Sequence, residues 1–147
     1  MKIKEIPATR EATHLIAGLI YKVLYGDTPE TNILADMLGT KPNPLKGKCY
    51  EATCTMYKIF GSKIVELWRC PDVYGELHWF CTNKWGDLID ITAEQYTIEG
   101  HKSPAENKDE WSKQYPLSFM GMRKRVDRVY GKIVLELDKI KNLDELK

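Results

Sequence analysis

The sequence predicts an α+β fold in which N-terminal helices pack on an antiparallel sheet, and three features lead there. Up to Gly61 the apolar residues recur at helical spacing. Between Lys63 and Thr92 they change to β-branched and aromatic runs separated by turn residues. The length of 147 residues, 43% hydrophobic and 29% charged, suits one domain over 1–147 whose core needs no staples.

Residues 8–25 set Ala12, Leu15, Ile16, Leu19, Ile20, Val23 and Leu24 on one helical face, and Gly26 is expected to stop the helix. Thr28-Pro29-Glu30 has the form of a helix start with proline at the first helical position, opening a short helix through Leu38 that ends at Gly39. Lys41-Pro42-Asn43-Pro44 is a stiff connector, because two prolines fix backbone angles and exclude helix. It delivers the chain to Gly47-Lys48-Cys49, where a third helix begins. That helix carries Cys49, Ala52, Thr53, Met56, Ile59 and Phe60 on one side and ends at Gly61.

Residues 63–69, 76–82 and 87–92 then read as strands, broken by Pro71-Asp72-Val73-Tyr74-Gly75 and by Asn83-Lys84-Trp85-Gly86. The span 64–76 exceeds what a tight hairpin needs and is expected to rim a cleft. Residues 93–116 are polar and irregular. From Met122 the apolar positions Val126, Val129, Ile133, Val134, Leu137 and Ile140 fit a helix, while Gly131 leaves a strand over 132–137 open.

Charge narrows the function. Lys and Arg number 22 against 21 Asp and Glu, a net charge of +1, which provides no electrostatic footprint for nucleic acid or an anionic membrane. No apolar run spans a bilayer and residues 1–14 lack a signal-peptide core, so a cytoplasmic protein is expected. The cysteines are Cys49, Cys54, Cys70 and Cys81. The closest two, five residues apart, point to different sides of a helix and do not make a zinc pair. Reduced thiols, no metal and no cofactor are the expectation.

A thiol becomes a nucleophile when held as thiolate, and a helix N-terminus beside an imidazolium does this. Cys49 has the first condition, in the first turn of its helix on the inward face. The strands supply the second. If the loop is Asn83-Lys84-Trp85 with Thr82 opposite Gly86, His78 and Asp90 stand directly across from one another, about 4.5–5.5 Å apart at Cβ. The carboxylate can then fix the imidazole's tautomer, completing a triad. A slip of one residue would put them on opposite faces. His14 reads as a surface residue and His101 as a solvated loop residue.

These motifs resemble a known pattern. Gly47-Lys48-Cys49, His78-Trp79, Trp85 and Asp90-Ile91-Thr92 are similar to the transglutaminase core, within the papain-like thiol enzymes, in both residue types and chain order. Over about 45–97 the chain looks closer still to the small YunG-type proteins of bacteria and phages. The most specific part is Asp90-Ile91-Thr92-Ala93-Glu94-Gln95-Tyr96. Two departures stand out: Trp79 follows His78 directly, and the family's asparagine is displaced to Asn83.

The resemblance implies a papain- or transglutaminase-like core and a cysteine-dependent acyl-transfer enzyme acting on an amide or related bond of a protein or peptide. Cys49 would attack, His78 would move the proton and Asp90 would orient the ring. Peptidase, amidase, deamidase and transamidase all fit. Gln95, Trp79 and Trp85 are candidates for substrate binding. The alternative is a non-catalytic phage-type protein sequestering a host target through Trp68, Tyr74, Trp79 and Trp85. A third reading, a nucleic-acid contact through Arg123, Lys124, Arg125, Arg128 and Lys132, is interrupted by Asp127, Glu136 and Asp138.

Overall fold

The computed structural model describes residues 1–26, 37–38 and 43–147. The helix expected over 28–38 lies outside the described residues except for Met37 and Leu38, which are helical and exposed. Gly39, Lys41 and Pro42 lie outside them too.

The described chain is α+β. Helix α1 (Arg10–Gly26) buries Ala12, Thr13, Ile16, Leu19, Ile20 and Leu24, the stripe its spacing announces, with Leu15 and Val23 at the margin. Helix α2 (Cys49–Phe60) buries Tyr50, Ala52, Thr53, Cys54, Thr55 and Met56. Strands β1 (Val65–Pro71), β2 (Leu77–Asn83), β3 (Leu88–Ile89) and β4 (Ser112–Gln114) form one four-stranded sheet in the order β3-β2-β1-β4, every neighbour antiparallel. A short α3 (Glu94–Thr97) follows β3, and α4 (Met120–Asp138) closes the fold.

Alternation along the strands divides the sheet into two faces. Val65, Leu67, Trp79 and Cys81 face α1, α2 and α4 and form the main core with Ile16, Ile20, Met56, Val129 and Ile133. Cys70 and Phe80 face the other way, where Ala105, Trp68 and Trp111 cover them. This second layer buries β2 on both sides, and His78 is in it.

Both β2 turns have the same construction. In the first, the Asp72 amide donates to Glu76 O at 2.8 Å and the Gly75 amide donates to Asp72 O at 3.2 Å. In the second, the Asn83 amide donates to Asp87 O at 3.1 Å and the Gly86 amide donates to Asn83 O at 3.0 Å. Each glycine has positive φ, 77° and 86°, the left-handed residue that closes a three-residue hairpin loop. Each turn opens on a side-chain oxygen accepting two backbone amides: Asp72 Oδ1 from Tyr74 and Glu76, Asn83 Oδ1 from Trp85 and Asp87.

These turns correct two expectations. The 64–76 span is no cleft rim, because β1 continues through Pro71 and returns by a tight loop. The β2–β3 loop is Lys84-Trp85-Gly86, so Asn83 faces Asp87 and the ladder pairs Cys81 with Ile89 and Thr82 with Leu88. In that register His78 is offset by two residues from Asp90. An even offset keeps both side chains on one face.

The segment from Met120 to Asp138 is one helix, with no strand over 132–137. Val126, Val129, Ile133 and Leu137 are buried at steps of three and four, whereas a strand would put Leu135, which is exposed, on the same face as Ile133 and Leu137. β4 was not expected from its residues, Ser112, Lys113 and Gln114, because what holds them is backbone pairing to β1. Among the described residues no helix is long and apolar enough to cross a membrane.

Asn83→Ala tests the second turn. Its buried amide accepts from two backbone amides and donates to Thr13 Oγ1 at 3.0 Å, so removal should cost about 2–3 kcal/mol in a urea titration. Gly86→Ala, with open space around the new Cβ, should cost only the left-handed strain of about 1–2 kcal/mol.

Candidate functional site

The site is assembled where three segments meet: the start of α2, the start of β2 and the chain leaving β3. A turn over 44–47 ends at Gly47, with φ of 78°, and the helix begins immediately after it. Lys48 occupies the cap position and makes no capping hydrogen bond; its Nζ donates instead to Leu24 O at 3.3 Å. Arg125 of α4 steadies this entry. It forms a two-pronged pair with Glu51, at 2.6 and 3.1 Å, and donates to Gly47 O at 2.8 Å.

His78 has 0% exposure. Its Nε2 meets Asp90 Oδ1 at 2.8 Å, and Asp90 Oδ2 accepts from the Ser103 hydroxyl. The ring stacks on Phe80, centroids 6.0 Å apart, and receives the edge of Tyr96 at 4.9 Å. Nδ1 faces the Gln95 amide, whose Nε2 is 3.5 Å away. The Cys49 thiol is near enough to the ring to favour its protonated form.

Burial works to lower the His78 pKa, but the bond to Asp90, the contact with Cys49 and the charge of both outweigh it and push the value up to about 9. Burial pushes the thiols of Cys54 and Cys70 up to about 12, and that of Cys81 higher still. All four cysteines are free, and Cys49 alone among them is partly open.

The structure therefore brings Cys49, His78, Asp90 and Gln95 together. Gln95 is buried rather than lining an open wall: its Oε1 accepts from the Gly47 amide at 3.4 Å and its Nε2 donates to Thr92 Oγ1 at 2.8 Å. It joins the entry to Cys49 to the imidazole. Trp79 and Trp85 do not join them. Trp79 follows His78 and so faces the opposite side of the sheet, buried edge-on against Tyr50. Trp85 is 38% exposed in the turn at the far end of β2. Tyr74 is in the turn at the near end, and Trp68 packs on Trp111, so the four aromatics make no common patch.

His14 is at the surface, 2.7 Å from Asp87, which Arg10 also grips at 2.6 and 2.7 Å. Arg10, His14 and Asn83 together hold the Asp87 carboxyl well below the usual range. His101 is exposed against Tyr74.

Sequence reasoning missed Ser103 and Tyr96. Tyr96 is buried, donates to Asp72 Oδ2 at 2.8 Å and walls the imidazole. Ser103-Pro104 carries a local signal, serine before proline at a helical start, which marks a cap but not its contact with Asp90. Among the described residues no group of three or more His, Cys, Asp or Glu side chains is placed to hold a metal ion. No protein-family model, curated protein or solved structure matches this chain.

The raised His78 pKa makes a signed prediction. A histidine near 6.5 when unfolded and about 9 when folded contributes stability that is complete below pH 6.5 and is lost as pH rises through about 9. Unfolding free energy should fall over that window by up to about 3 kcal/mol. Urea titrations at pH 6 and 9.5 should show the loss in wild type and a smaller one in Asp90→Asn.

Proposed function

We propose that the chain is a cysteine-dependent acyl-transfer enzyme acting on an amide or related bond of a protein or peptide, built on a papain- or transglutaminase-like core of the YunG type. The observation that carries this reading is the arrangement at His78: a fully buried imidazole with Nε2 on Asp90, close to a partly open thiol in the first turn of a helix.

The steps follow from that arrangement. Nε2 is tied to Asp90, so Nδ1 is the nitrogen that exchanges protons with Cys49. His78 takes the thiol proton, and a protonated imidazole beside sulfur sustains the thiolate. Sγ adds to the carbonyl carbon and the carbonyl oxygen becomes an oxyanion. Backbone N–H groups at the start of α2 stabilise it. The C–N bond then breaks, Nδ1 gives its proton to the leaving amine, and an acyl thioester remains on Cys49. Water or an amine attacks the thioester, gives a proton to Nδ1 and restores the thiolate. Both outcomes use the same residues.

A second reading, a protein that binds a partner without chemistry, draws on Tyr115, Phe119 and Met120, each more than 60% exposed where the chain enters α4.

Alkylation separates the two. Iodoacetamide at pH 7 should modify Cys49 faster than the three buried thiols, and His78→Ala should slow that reaction by about tenfold or more. Equal rates in both proteins would sink the thiol-enzyme reading. Cys49→Ala should leave unfolding free energy within about 1 kcal/mol of wild type. It should also lower turnover of peptide amides by several orders of magnitude.

A further inference from the structure

Resting on the thiol-enzyme reading, we propose that Ser103 is a positioning residue of the same site, its hydroxyl holding the Asp90 carboxylate in the rotation that meets His78.

Asp90 needs such a clamp because of where it stands in the fold. Strand β3 ends at Ile89, so Asp90 has no ladder partner. An aspartate's terminal torsion is broad, and the chain alone does not choose which way the carboxylate faces. Its two oxygens are divided between two donors: Oδ1 takes His78 Nε2 at 2.8 Å and Oδ2 takes the Ser103 hydroxyl. Without the second donor the carboxylate could turn away from the ring.

Ser103 is itself held. It is buried and caps the turn Pro104–Glu106, its Oγ accepting from the Ala105 amide at 3.3 Å. That bond occupies a lone pair, which leaves the hydroxyl's one proton for Asp90. Trp111 Nε1 donates to Ala105 O at 2.9 Å and its ring packs edge-on to Phe80, the residue that stacks on His78. The segment carrying Ser103 is thus fastened to the sheet face that carries the imidazole. Donor, acceptor and ring share one rigid frame.

The test is an NMR titration of His78 in the full chain, with Cys49 alkylation at pH 7 alongside. Ser103→Ala should lower the His78 pKa by about one unit, because a freed carboxylate supports the imidazolium less well. It should slow alkylation severalfold. Ser103→Thr, which keeps the hydroxyl, should restore both. Pro104→Ala disturbs the turn and keeps the hydroxyl, so it should move melting temperature without moving the His78 pKa. A folded Ser103→Ala with an unchanged His78 pKa overturns the proposal, as does a Pro104→Ala that lowers the pKa equally. Should the alanine variant not fold, Ser103→Cys, close in volume and a weak donor, must lower the pKa in its place, and an unchanged value overturns the proposal. The titration does not depend on turnover. Failure of the enzyme reading would appear as His78-independent alkylation with these shifts intact.

Discussion

A fully buried imidazole has to satisfy two ring nitrogens without water, and this requirement organises the site. His78 is at the start of β2, between the sheet and the segment over 103–111, so its partners must come from outside its own strand. Asp90 meets one nitrogen and Gln95 the other, with Cys49 close to the ring. Phe80 and Tyr96 fix the ring plane from two directions. Each partner is fixed in turn: Asp90 by Ser103, Gln95 by Thr92 and Gly47, Tyr96 by Asp72. A carboxylate near a buried imidazole favours the charged ring, which outweighs the desolvation opposing it.

The tight turns matter because they decide what arrives at that ring. Asp72 and Asn83 both use a side-chain oxygen to gather two backbone amides, and both hand the chain to a left-handed glycine. Asn83 also donates to Thr13 of α1, and Asp87 pairs with Arg10 and His14 of the same helix. The β2–β3 turn is therefore locked to the helical layer. That lock sets the register, and the register places Asp90 on the imidazole's face. At the other end Asp72 does double duty, shaping its turn with Oδ1 and holding Tyr96 with Oδ2.

Arg125 shows how a residue from a distant element supports the same place. Within the basic stretch of α4 it turns inward to Glu51 and to Gly47 O, on the first turn of α2 and the loop before it. A guanidinium engaged with both groups restrains the orientation of the helix N-terminus on which Cys49 stands. The packing of α4 against α2 is thus also a contribution to the position of the thiol.

The sequence by itself determined the elements with strong periodicity and the residues with distinctive chemistry. The apolar stripe of α1, the start of α2 at Gly47-Lys48-Cys49 and two strands before Asn83 are local properties, written in spacing and turn residues. His78 and Asp90 could be paired from hairpin parity, and the pairing survived a register off by two because side chains alternate with period two. Only the tertiary structure decided the rest. β4 has no apolar residue and exists because β1 offers an unpaired edge. Trp79 reads as a substrate-binding candidate beside His78, yet strand alternation turns it to the face of the sheet opposite the imidazole. Ser103 reaches Asp90 across 13 residues of irregular chain, and nothing in local pattern encodes a contact made through folding of a loop onto a sheet.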